Sequence, residues 1–214
     1  MDAAPTLLPL GDHGLLVRFS DALSEPANRA AVAFGRRADA ARLPGVLEVV
    51  PNLVSVLLRY DPTTIEFEKL AGEVRLLVSA PTLDPPDGTE HTVTVTFDGD
   101  DLDEVAALVN LTRAAFIAAH CRTPLRVLAT GFAPGFVYAG FHDGALHVPR
   151  RAQVRKQVPA GTVLFAAGQT AITSTAIPTG WHDIGHTAFR NFDPASSPPT
   201  RLAAGDTVRF EAAP

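Results

Sequence analysis

The sequence of 214 residues holds one cysteine, Cys121, one tryptophan, Trp181, and two lysines, Lys69 and Lys156, among its 18 basic residues. A single cysteine excludes an intrachain disulfide and points to a reducing compartment. Long apolar runs are also missing. The most apolar stretch, Val46 to Leu58, is broken by Glu48, Pro51 and Asn52 and falls short of the about 20 apolar residues that a membrane-spanning helix needs. Met1 to Leu10 carries no basic segment ahead of its apolar residues, so it does not read as a secretory signal. The expectation is a cytoplasmic protein with no membrane partner. The scarcity of lysine beside abundant alanine indicates a GC-rich genome and says little about function.

Several catalytic signatures are absent too. There is no G-x-x-x-x-G-K-[ST] run, so no phosphate cradle of the P-loop kind. There is no G-x-S-x-G, so no nucleophile elbow of an α/β-hydrolase. Cys121 directly follows His120, and neighbouring side chains on a helix diverge by roughly 100°, which makes a poor nucleophile–base pair. Cys121 therefore reads as a small buried hydrophobe. His182 and His186 have the spacing that joins two imidazoles on one helical face, but Gly180 and Gly185 argue against a helix there. No metal site is expected.

What is present divides unevenly along the chain. Hydrophobic residues make up 46% and charged residues 19%, which excludes a disordered, coiled-coil or collagen-like chain. The net charge of −5 would argue against an anion binder, but it is a sum of opposites. Residues 1–104 hold 18 acids and 8 cations, a charge of −10, while residues 105–214 hold 5 acids and 10 cations, a charge of +5. Between Val105 and His182 the only carboxylate is Asp143, against seven arginines and lysines.

The first part alternates strands and helices. Leu15 to Phe19 reads as a strand. Ser24-Glu25-Pro26 reads as a capped helix start, followed by Ala27, Ala30, Phe34, Ala38 and Ala41 on one helical face. Pro44-Gly45 ends that helix. Val46 to Val50 and Ser55 to Tyr60 read as strands, and Phe67, Leu70, Val74, Leu77 and Val78 as a second amphipathic helix. The order fits a small α+β sandwich over residues 1–80. A Pro-rich linker over 81–90 follows, since Pro81 to Gly88 suits neither a helix nor a central strand.

The second domain, 91–214, opens with an alternating strand, His91 to Phe97, and two short helices, Leu102 to Val109 and Thr112 to His120, with Thr112 as a cap. The second helix carries too few phosphate-contacting groups for helix-turn-helix recognition, so no nucleic-acid partner is expected. Leu125 to Thr130, Thr162 to Ala166 and Thr207 to Phe210 are β-prone runs between Gly and Pro turns, the spacing of a barrel or sandwich.

Two segments stand out within it. Gly131 to Gly140 packs three glycines, Pro134 and the aromatics Phe132, Phe136 and Tyr138 into ten residues, which suits a loop lining a pocket or an interface, or else a tight barrel corner. Pro149 to Lys156 carries Arg150, Arg151, Arg155 and Lys156 with no carboxylate from Gly144 to His182. An anionic ligand, clasped by Arg150 and Arg151, is one expectation. A surface run that pairs with the acidic first domain is the other. Gln169 and Thr170 add an amide and a hydroxyl suited to orienting a polar ligand, and Trp181 suits a pocket wall.

These segments, taken in order, resemble one family. Gly131-Phe132-Ala133-Pro134-Gly135-Phe136, Val148-Pro149-Arg150-Arg151, Val158-Pro159-Ala160-Gly161, Gly168-Gln169-Thr170, Gly180-Trp181, Ile184-Gly185 and Phe192-Asp193-Pro194 look like the signature of the 5-oxoprolinase B subunits. That family is also called allophanate hydrolase subunit 1 or the sporulation-kinase inhibitor (KipI-like) family. Gly11-Asp12, Pro44-Gly45-Val46 and Tyr60-Asp61-Pro62 extend the likeness into the first domain.

The resemblance implies a small N-terminal α+β domain followed by a cyclophilin-like β-barrel. It also implies one component of an ATP-dependent 5-oxoprolinase-type hydrolase that works with a C-type partner subunit and a lactamase-type third subunit. Alternatives within the family are a module that inhibits a sensor histidine kinase and a carboxyltransferase module of a urea carboxylase-like system. Under this reading Arg150 and Arg151 bind the anion and Gln169 and Thr170 orient the substrate. Phe132, Pro134, Phe136, Tyr138 and Trp181 form the wall. The sequence departs from the family pattern at Ala167, where a glycine is usual, at Ala171 to Ser174, where an aromatic is usual, and at His186, where an arginine is usual.

Overall fold

The computed structural model describes residues 4–79 and 88–214. Of the expected linker over 81–90, residues 81–87 lie outside the described residues, and Glu90 already opens a strand. Two compact units result, Met1–Asp87 and Gly88–Pro214.

The first unit contains β1 (Thr6–Leu10), β2 (Gly14–Arg18), α1 (Glu25–Ala41), β3 (Val46–Pro51), β4 (Ser55–Tyr60) and α2 (Phe67–Ser79). Its antiparallel sheet runs β1-β2-β4-β3. The helices form for local reasons. Ser24 Oγ accepts the Ala27 N–H at 3.4 Å, Pro26 occupies the first turn, and α1 ends with Arg42 in the left-handed region. Ala27, Phe34 and Ala38 are buried as the periodicity predicts, whereas Ala41 is exposed because the helix ends there. Leu15, Val17, Phe34, Val56, Leu58, Leu70 and Val74 make one core between sheet and helices. The pattern reading missed β1, which contains Pro9. An edge strand tolerates proline, because no neighbour needs the missing N–H on its open side.

The second unit contains β5 (Glu90–Val95), α3 (Leu102–Leu108), α4 (Arg113–His120), β6 (Leu125–Thr130), β7 (Val137–Gly140), β8 (Arg155–Val158), β9 (Thr162–Ala166), β10 (Gln169–Ile172), β11 (Ile177–Thr179), β12 (His182–His186) and β13 (Thr207–Ala212). Seven strands form one sheet in the order β12-β9-β10-β7-β6-β13-β5, and β8 and β11 form a two-stranded sheet. The large sheet curls until its two edges meet. Thr96, just past β5, exchanges both backbone hydrogen bonds with His186 of β12, each at 2.9 Å. Gly185 permits this approach, since a Cβ there would lie 2.3 Å from the Thr96 carbonyl oxygen. The architecture is thus a small α+β unit followed by a barrel-like one.

Strand alternation splits the second unit's apolar residues into two groups. Val127, Val137, Ala139, Val163, Phe165 and Ile172 face one side and pack with Leu102, Val105 and Phe116 of α3 and α4. Leu164, Ala166 and Ala171 face the other side and pack with Phe136, Val158, Ile177 and Trp181. Both groups exclude water, but only the second borders the segments singled out in the sequence.

Candidate functional site

The segment Gly131 to Phe136 folds as a tight loop ahead of β7. Gly131 N–H donates to the Phe136 carbonyl and Phe136 N–H to the Ala133 carbonyl, each at 3.0 Å. The loop is clamped from below. Ser174 Oγ donates to the Gly135 carbonyl at 3.0 Å and Asn191 Nδ2 does so at 3.3 Å. No side chain fits at Gly135, since a Cβ would sit 2.5 Å from Phe192 Cβ and 2.8 Å from Ser174. Held this way, Phe132 adopts φ +76° and stays 71% exposed. An aromatic residue rarely takes that backbone conformation, so the clamp imposes it.

From Phe132 a row of rings runs inward. Centroid separations are 5.4 Å from Phe132 to Phe136, 4.8 Å from Phe136 to Tyr138, and 5.9 Å from Tyr138 to Trp181. The Arg150 guanidinium lies 5.8 Å over the Trp181 ring. These are the distances of edge-to-face and cation–π contacts. Phe136 and Trp181 are buried, so they support the row from inside, while Phe132 and Tyr138 provide its accessible surface. Burial pushes the Tyr138 hydroxyl pKa upward, and the charge of Arg150 partly offsets this. Pro134 sits exposed in the loop.

Gln169 lies opposite Ala166 in the β9–β10 hairpin, so its side chain shares the face of Ala166 and Trp181. It is 7% exposed, and its Oε1 is buried without a partner among the described residues. Such an acceptor is costly unless something donates to it. Thr170, one residue on, points to the opposite face. The two residues read together in the sequence therefore do not share a site. Thr170 Oγ1 instead lies 2.8 Å from His120 Nε2 and 2.8 Å from His142 Nε2, in the core lined by Phe97, Phe116, Phe165 and Phe210. Desolvation lowers the His120 pKa well below the usual imidazole range and brings that of His142 down to about 4, so both rings are neutral near pH 7.

The basic run also separates. Arg151 Nη1 bonds to Asp101 Oδ1, and Arg155 Nη2 donates to the same oxygen at 2.7 Å. Arg155 Nη1 reaches Asp100 Oδ2 at 2.9 Å. The other oxygen of Asp101 accepts the Asp183 N–H at 2.8 Å. Asp101 is nearly buried, so these contacts neutralise Arg151 and Arg155 from outside the acid-poor span. The alternative expectation, that the run pairs with the acidic first domain, is corrected in its partner, since Asp100 and Asp101 belong to the second unit. Asp100 and Asp101 are some 50 residues away in sequence but adjacent in space. Arg151 is thus held in an ion-pair network, and Arg150 is the arginine of the run that faces the aromatic row. Asp183 belongs to the same cluster. Burial raises its carboxyl pKa, against the opposing effects of the Gly185 N–H and Arg155.

His182 Nε2 lies 3.0 Å from the Pro149 carbonyl and His186 Nδ1 lies 2.7 Å from Asp98 Oδ1. Among the described residues no group of three or more His, Cys, Asp or Glu side chains is placed to hold a metal ion. No helix among them is long and apolar enough to cross a membrane. A depression of about 530 Å³ occurs in the first unit, bordered by Arg18, Phe19, Ser24 and Ala27, but that unit contains none of the predicted site residues.

Comparison with known proteins places this architecture in a family. Residues 5–202 match the carboxyltransferase domain, subdomain C and D, and the chain belongs to that family. It is 36% identical over 173 residues to the 5-oxoprolinase B subunit of Escherichia coli O157:H7, covering 78% of each chain. It is 31% identical over 215 residues to the 5-oxoprolinase B subunit of Bacillus subtilis (strain 168), covering 94% of this chain and 90% of the relative. Among solved structures it is similar to TTHA0988, at a TM-score of 0.84 and 36% identity over 94% of this chain. The match spans only 40% of that longer protein. The fold alone is shared with urea carboxylase of Kluyveromyces lactis, at a TM-score of 0.79 and 15% identity, covering 98% of this chain and 22% of that one.

Proposed function

We propose that the chain is one component of an ATP-dependent 5-oxoprolinase-type amidohydrolase that acts on a small lactam or amide together with a partner protein. The observation that carries this reading is the buried Oε1 of Gln169, unpartnered among the described residues, on the same sheet face as the aromatic row that ends at Arg150. A lactam N–H supplies the donor that Oε1 lacks. A ring carboxylate supplies the anion that a guanidinium binds with charge-assisted hydrogen bonds. Tyr138 offers an apolar wall with a polar tip. Relatives named as B subunits of 5-oxoprolinase support the same substrate class.

ATP supplies the energy that lactam opening requires. The residues of this chain fit a carboxylate better than a triphosphate, because Arg151 and Arg155 are paired with Asp101 and Asp100. The nucleotide is therefore assigned to the C-type partner, and a lactamase-type third subunit completes the assembly. The test is hydrolysis of 5-oxoproline with ATP by this chain, with and without that partner. Turnover is expected only from the combination, and no turnover from the reconstituted complex overturns the proposal. Within it, Arg150→Ala is expected to raise KM about tenfold or more, the cost of one charge-assisted bond, with thermal stability unchanged. An unchanged KM removes Arg150 from the site.

The exposed Phe132 favours a second reading, a regulatory module that docks a sensor histidine kinase through its loop tip. Capture of a kinase by the intact chain, lost in Phe132→Ala, with no C-type partner recovered, favours that reading over the enzyme.

A further inference from the structure

Asn191, at the foot of the Phe192-Asp193-Pro194 motif, joins two loops. It is fully buried, and its side chain is engaged at both ends. Oδ1 accepts the Arg201 N–H at 3.1 Å and the Leu202 N–H at 2.7 Å, while Nδ2 donates to the Gly135 carbonyl at 3.3 Å. Two N–H groups on one side and a carbonyl on the other allow only this orientation of the amide. Residues 191–202 thereby close into a loop. Phe192 is bridged to Thr200, and at the tip the Ala195 N–H and the Ser196 hydroxyl donate to the Asp193 carboxylate, each at 2.9 Å. Ser174 doubles the link. Its Oγ accepts the Asn191 N–H at 3.1 Å and donates to the same Gly135 carbonyl at 3.0 Å.

The carbonyl held in this way belongs to the peptide that joins Gly135 to Phe136. A peptide unit is planar, so its two ends move together. At the other end the Phe136 N–H donates to the Ala133 carbonyl at 3.0 Å. The plane is fixed from both sides, and with it the Phe136 ring, which stands 5.4 Å from the Phe132 ring and 4.8 Å from the Tyr138 ring. Phe132 keeps φ +76°, a value that persists only where the surroundings over-determine it. We propose that Asn191 is a positioning residue of the ligand site. It acts through the Gly135–Phe136 peptide to hold Phe132 and Tyr138 in place as the wall beside Gln169 and Arg150. The ligand itself rests on the function proposed above; the link from Asn191 to the rings does not.

Trp181, the only tryptophan, lies 5.9 Å from Tyr138 in the row of rings and reports on it by fluorescence. The test titrates the intact chain with 5-oxoproline, read by Trp181 emission, and follows hydrogen exchange of the Phe136 amide without ligand. Asn191→Asp keeps the acceptor towards Arg201 and Leu202 and puts an oxygen where the donor to Gly135 was. It is expected to raise the Kd for 5-oxoproline about tenfold and to speed Phe136 exchange about tenfold, the size of one lost hydrogen bond. Ser174→Ala removes the other donor to that carbonyl, is expected to act in the same direction, and decides the matter where Asn191→Asp does not fold. Asp193→Ala, at the tip of the same loop, is expected to leave the Kd unchanged. Faster Phe136 exchange with an unchanged Kd reduces Asn191 to a structural role and overturns the proposal. An equal rise in Kd in Asp193→Ala also overturns it, and in both cases the function proposed above stands. No saturable binding by the wild-type chain overturns both.

Discussion

Ala167 shows how a single residue departs from what its position asks for. With Gly168 it forms the two-residue turn between β9 and β10, with φ +51° and +70°. A hairpin turn with both central residues at positive φ favours glycine or asparagine at each. The left-handed region costs an alanine roughly 1 kcal/mol. Ala167→Gly is therefore expected to raise stability by about 1 kcal/mol, seen as a higher urea midpoint with an unchanged slope. The family pattern of two glycines at this turn was legible in the sequence, but the reason for it was not. It required the backbone angles and the hydrogen bond from Ala167 N–H to the Val148 carbonyl at 2.7 Å. His186, a second departure, meets Asp98 across the barrel seam, a contact that no spacing along the chain predicts.

At the scale of elements, the strands that carry the site were the hardest to read. Leu125 to Thr130, Thr162 to Ala166 and the strand opening at His91 announce themselves by β-branched and apolar runs. β8, β10 and β12 do not, because they are four or five residues long and contain Arg, Gln, Thr, His and Asp. Their stability comes from neighbours rather than from propensity. For the same reason Gln169 and Thr170 were read as one group, although alternation on β10 sends them to opposite faces. Asp101, at the start of α3, shows a second long-range dependence. Replacing it by Asn leaves Arg151 and Arg155 partly buried without their shared countercharge. Asp101→Asn is expected to cost about 3–5 kcal/mol, measured as a lowered thermal midpoint, whereas Asp103→Asn, at an exposed pair with Arg113, is expected to cost less than about 1 kcal/mol. Equal losses at the two positions would remove the network from the account of stability.

For the whole molecule, the two buried imidazoles set a pH dependence. His142 titrates at about 4 when folded against 6.5 when exposed, so the unfolded chain binds the proton more readily between those values. The contribution of this group is therefore level above pH 6.5 and falls as the pH drops towards 4, by about 3 kcal/mol. His120 acts in the same direction, and Asp183, whose carboxyl is raised by burial, acts in the opposite one as pH falls through its own value. Urea midpoints at pH 7.5 and 5 check this, with His142→Gln expected to reduce the difference and the His120 contribution remaining. A midpoint that does not fall on acidification contradicts it. Local periodicity, capping and composition were enough to dictate the helices of both units, the longer strands and the two-part charge distribution, and the ordered motifs were enough to indicate the family. Tertiary contacts alone settled which cations are neutralised, which face of β10 each side chain takes, and that His120 and His142 share one hydroxyl. Those outcomes depend on groups 28 to 55 residues apart being brought within hydrogen-bond distance, and sequence spacing carries no record of that.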